Sequence, residues 1–96
     1  MKINISREME DIVIQFLKNR STDLLVLDKS LKKNNFSEIE NIGHQIAGNS
    51  GSYGFSDLGE MGENLEKYAI QQDKEKIKRQ ILEIASYLEN LKINFS

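Results

Sequence analysis

Met9, Val13, Phe16, Leu24, Leu27 and Leu31 recur every three or four residues, and Arg20 is the one polar entry in this stripe. That period is helical. It fits either one long helix over about residues 6–34 or, as the preferred reading, a short first helix over about 6–20 and a longer second one over about 22–34 that break near Ser21–Thr22. Asn34–Asn35 is a suitable stop, because Asn tolerates the left-handed conformation of a helix C-cap. Ser37-Glu38-Ile39-Glu40 has the form of a capping box, so the next helix is expected from Glu38 with Ile39, Ile42, Ile46 and Tyr53 inward. GNSGSYG follows at residues 48–54 and reads as a loop by propensity alone. Ser56 or Asp57 can cap a further helix over about 56–71, with Leu58, Met61 or Gly62, Leu65, and Tyr68 or Ala69 on its stripe and Phe55 at its entry. Asp73 can cap the last helix, over about 74–93, where Ile77, Ile81, Ile84, Leu88 and Leu91 step as a bundle seam. No internal repeat or interdomain linker stands out. The expected fold is all-α, an up-down four-helix bundle with a short extra N-terminal helix, in one domain over 1–96.

Composition narrows this further. The 96 residues include no Pro, as suits long helices with tight connections, and they suffice for one small core. The absence of Cys excludes disulfides, Cys-based zinc sites and thiol nucleophiles. With 13 basic against 15 acidic residues the net charge is −2, which argues against a nucleic-acid binder. No apolar run reaches the roughly 20 residues of a membrane span, and MKINISREMED has no signal-peptide core, so a cytoplasmic location is expected. A complete bundle needs no partner to close its core, so a monomer is expected. The initial Met and the end just past the last helix read as a free-standing chain.

His44 is the only histidine. At 100° per residue it lies about 140–180° around its helix from Ile39, Ile42, Ile46 and Tyr53, so it points away from the core. Its neighbours one and two turns on are Ala47, Gly48 and Gly51, and none of them is tall. Two readings of this stretch stand. The helix ends near Ala47 and the glycines are loop, or it continues and accepts a cost of about 2–3 kcal/mol so that a partner can come close to the ring. A metal site on Glu40-x-x-x-His44 lacks a third ligand, since there is no second His and no Cys. Ser50 and Ser52 are near in sequence, but no orienting acid or oxyanion hole accompanies them.

HQIAGNSGSYGF followed by LGEMGENLEKYA resembles the histidine phosphotransfer (HPt) domain of bacterial multistep phosphorelays. The match falls at His44, Ile46, Gly48, Asn49, Gly54, Phe55, Leu58, Leu65, Glu66 and Ala69, and extends over essentially the whole chain. The resemblance implies that the histidine helix continues through the glycines, to about 38–53. It implies a phosphocarrier without kinase or phosphatase activity of its own. Phosphate would pass between a receiver-domain aspartate and His44, and the receiver, not this chain, would bring magnesium. Response-regulator receivers and a hybrid sensor kinase are the partners it implies. Gln45, Ala47, Gly48 and Gly51 would shape the site, with Glu40, Asn49 and Lys67 as polar neighbours. Glu40, one turn before His44, can accept from the imidazole, although its place in the capping box favours a structural role. One position departs from the pattern: the family commonly has Lys where this chain has Ala47. Slower phosphorylation or a more labile phosphohistidine is expected from that loss. The alternative it supports is a docking module that binds a receiver or kinase without efficient transfer.

Overall fold

The computed structural model describes residues 2–96. Four helices, α1 (Glu10–Lys32), α2 (Phe36–Ser50), α3 (Ser56–Ile70) and α4 (Lys74–Asn90), form an elongated bundle of 42 × 19 × 19 Å. Each helix packs on its neighbours in sequence and α4 closes the ring against α1. The core holds the expected stripes, with Val13, Leu27, Ile39, Ile46, Phe55, Leu58, Leu65, Ile77 and Ile84 fully buried.

The three connections share one design. Asn34 (φ 57°), Gly54 (φ 86°) and Gln72 (φ 55°) turn the chain through the left-handed region. The next residue then donates its N–H five residues back: Asn35 to Ser30 at 2.8 Å, Phe55 to Ser50 at 2.9 Å and Asp73 to Tyr68 at 3.1 Å. These are helix C-caps that satisfy orphan carbonyls without any proline. The same residue begins the following helix. Asp73 accepts from Lys76 N as expected, and Asn35 accepts from Glu38 N.

Several boundaries differ from the sequence expectations. The break at Ser21–Thr22 is absent. Both hydroxyls donate to carbonyls four residues back, Leu17 and Lys18, so α1 runs through them. The Ser37 capping box is not formed. Asn35 is the cap, because its backbone N–H is held by Ser30 and its side chain both accepts from Glu38 N and donates to Glu38 Oε2. Neither Ser56 nor Asp57 caps α3; Phe55 holds that position and gives its side chain to the core, stacked on Phe16 at 5.6 Å. Buried Arg20 keeps its place in the stripe by donating to Asp23 at 2.8 Å and lying over the Phe16 ring at 4.9 Å.

The chain ends differ most. In place of a separate N-terminal helix there is a strand, β1 (Lys2–Ile5), and a 3-10 turn (Arg7–Met9) that leads into α1. The last helix stops at Asn90, Leu91 is extended, and β2 (Lys92–Phe95) pairs in parallel with β1. Lys-Ile-Asn lies beside Lys-Ile-Asn in register, and Asn94 Nδ2 donates to Asn4 Oδ1 at 3.3 Å. Ile3, Ile5, Ile93 and Phe95 pack on the core while the lysines and asparagines face out. A repeat of three residues, 90 positions apart, is too short to notice before its pairing is seen.

Candidate functional site

The histidine helix is held unusually close to α3. A Cβ built on Gly43 would lie 2.7 Å from Glu66 N, and one on Gly62 would lie 2.6 Å from Ala47 N. Only glycine allows backbones to approach this closely, and this requirement explains two of the six glycines. The consequence is that α3 side chains facing α2 reach the polar face of α2.

His44 stands on that face with its side chain 75 % exposed. Its Nδ1 lies 3.1 Å from Glu66 Oε2 across the helix pair. A carboxylate can only accept, so Nδ1 carries the proton and donates, and in the neutral ring Nε2 keeps its lone pair. Glu66 therefore fixes both the tautomer and the orientation of the ring. This contact joins residues 22 positions apart. Nothing on α2 hints at it, and Glu66 stands out in the sequence only as part of Leu-Glu-x-x-Ala.

Past His44, α2 continues through Gly48 to Ser50 and finishes as a 3-10 turn over Gly51–Tyr53. Nothing among the described residues lies within 4 Å of where a Cβ would be on Gly48 or Gly51, so the surface beside the imidazole is open. Ala47 is half-buried against α3. The other expected neighbours are dispersed. Gln45 and Asn49 turn toward α1, where they line two separate open grooves of about 550 and 460 Å³; His44 lines neither. Glu40 is half-buried and, released from the expected cap, has no hydrogen bond or ion pair among the described residues. Lys67 Nζ lies 5.7 Å from the centroid of the Tyr68 ring, which α4 also approaches through Lys76. No group of three metal-ligating side chains occurs among the described residues. No helix among them is long and apolar enough to cross a membrane.

The fold and the site define a small helical-bundle module that offers one oriented, solvated imidazole and no closed pocket around it. Comparison with family models matches the Hpt domain over residues 11–93, which is 83 of the 96 residues. The chain belongs to the Hpt domain family, the phosphotransfer modules of histidine phosphorelays, which carry phosphate and are not kinases or phosphatases. Hpt domains interact with receiver domains and kinases in such relays. Comparison with curated proteins and with solved structures returned no match.

Proposed function

We propose that His44 is the phosphoacceptor of this chain and that it exchanges phosphate with a receiver-domain aspartate. The observation that carries the reading is the Nδ1–Glu66 contact at 3.1 Å on an otherwise solvated ring. In the forward step the Nε2 lone pair attacks phosphorus, the N–P bond forms, and the aspartate carboxylate leaves with the electrons of the broken O–P bond. Nδ1 keeps its proton on Glu66 throughout, so no proton has to move. In the reverse step the leaving group is then a neutral imidazole. Gly48 and Gly51 leave room for in-line approach, and orientation by Glu66 reduces the rotational freedom the ring must lose. The divalent cation of the reaction is expected to come with the receiver. A transient, standard-size or smaller interface over Asn41, Gln45, Gly48 and Gly51 suits a relay partner.

The test is incubation with a receiver domain charged by acetyl phosphate, followed by detection of acid-labile, base-stable phosphate on the chain. His44→Gln is expected to abolish the label, and a label that survives refutes the assignment. Glu66→Gln is expected to slow transfer by about 10- to 100-fold while leaving some label, through loss of ring orientation. Ala47 favours a second reading, a docking module with little transfer, because it leaves the site without a cation on α2. In that case His44→Gln keeps receiver binding and the wild-type chain takes up almost no label.

A further inference from the structure

The groove between α1 and α2 that Asn49 lines is built around a buried cation. Arg20 is only 6 % exposed, and its Nε donates to Asp23 Oδ2 at 2.8 Å. Its two Nη nitrogens have no hydrogen-bond partner among the described residues, yet they are not sealed off. Arg20 lines this groove of about 460 Å³, so these are the donors it offers. Further donors stand beside them. Asn19 Oδ1 accepts from Gln15 Nε2 at 3.1 Å, which leaves Asn19 Nδ2 to donate, and exposed Asn49 brings a second amide from α2. The wall is aromatic: the Phe16 and Tyr53 rings lie 5.0 Å apart, tilted by 47°, and Ile12, 54 % exposed, stands beside them. Asp11 closes the far end, about 13 Å along α1 from Arg20.

A planar guanidinium with free N–H groups pairs best with a carboxylate, and flanking rings favour a flat apolar body. Asp11 disfavours a second negative charge at the other end of such a ligand. We propose that this groove binds a small monocarboxylate with a flat apolar body, such as an arylalkanoate, with the carboxylate on the Arg20 Nη nitrogens and the ring against Phe16, Tyr53 and Ile12. The site is separate from His44 and does not depend on the role of that residue. Small-molecule sites span roughly 300–1,000 Å³, and the groove falls within that range. Asp23 shares the guanidinium, and its charge, roughly 6 Å from a bound carboxylate, weakens binding about three- to tenfold. A ligand of about ten non-hydrogen atoms is then expected to bind with a dissociation constant on the order of 1 mM.

The experiment titrates the full chain with phenylacetate and follows the amide shifts of Arg20, Asn49 and Tyr53. Saturating shifts are expected, with 2-phenylethanol and acetate, which each lack one half of the ligand, at least about tenfold weaker. Asp23→Asn keeps an acceptor for Arg20 Nε and is expected to tighten phenylacetate binding about three- to tenfold, a gain that a groove holding the ring alone would not show. Arg20→Gln with Asp23→Asn leaves no unpaired buried carboxylate and is expected to bring phenylacetate down to the level of 2-phenylethanol. Should that double variant unfold, Asp23→Asn decides alone. The inference is overturned if phenylacetate gives no saturating shift up to about 20 mM in either the wild type or Asp23→Asn. An affinity that Asp23→Asn leaves unchanged overturns it as well. So does a receiver domain that moves these amides where phenylacetate does not, which would make the groove a protein-docking surface.

Discussion

Gly62→Ala is expected to damage the protein in a way that Gly48→Ala does not. At Gly62 the new methyl carbon would lie 2.6 Å from Ala47 N, 2.8 Å from Gly43 O and 2.8 Å from Ile46 Cγ2. Two of these atoms are backbone and cannot rotate away. Restoring ordinary contact at 3.4 Å needs 3.4 − 2.6 = 0.8 Å of separation between α2 and α3. Overpacking of this kind costs about 1–3 kcal/mol, and the helix propensity of Ala returns at most about 1 kcal/mol. A net loss of roughly 1–2 kcal/mol is expected. The same displacement would take the His44–Glu66 contact from 3.1 to 3.9 Å, beyond hydrogen-bond range. At Gly48 an added Cβ would meet none of the described residues beyond its own helix within 4 Å, so Ala should stabilise by about 0.5–1 kcal/mol. Urea unfolding gives the two free energies, and imidazole nitrogen shifts report the tautomer. If Gly62→Ala proves as stable as Gly48→Ala and keeps the Nδ1–H tautomer, the close helix approach does not position the site.

Other outcomes follow from particular groups. Tyr87 Oη is buried without a hydrogen-bond partner among the described residues, so Tyr87→Phe should stabilise the fold by about 1 kcal/mol in denaturant titration; a loss of stability would reveal a partner for the hydroxyl. Burial raises the Asp23 carboxyl above 3.8, against the opposing effect of Arg20. The folded state then holds a proton that the unfolded state has lost, so wild-type stability should fall relative to Asp23→Asn as pH rises through the window just above 3.8; a flat difference across that window argues against the shift. Deleting residues 92–96 removes β2 and uncovers Ile5, which is 7 % exposed. A loss of about 2–4 kcal/mol is expected, and unchanged thermal unfolding would show the strand pair to be ornamental.

The helical stripes and the outward histidine were legible because each is a property of one helix, read from spacing alone. What depended on competition between nearby polar groups was not. Ser37 has the right spacing for a cap, but Asn35 takes the position because its backbone N–H already closes the preceding turn. Ser21 and Thr22 look like a break, yet their hydroxyls bond back into the helix. Glu66 was invisible as a partner of His44, since the contact depends on the approach of α2 to α3. The two glycines that permit this approach look, in the sequence, like any other Gly. Glu40, the partner suggested by spacing on one helix, is not the one in contact.

The parallel pairing of the first strand with the last has a mechanical meaning. Tension between the two ends pulls β1 from its Lys2 end and β2 from its Phe95 end, in opposite directions along one axis. That is shear, which loads every rung of the ladder at once, including the Asn4–Asn94 amide contact. An antiparallel pair in the same place would peel open one rung at a time. The ladder therefore acts as a clasp: the helices that hold His44 against Glu66 bear no load until the strands slip.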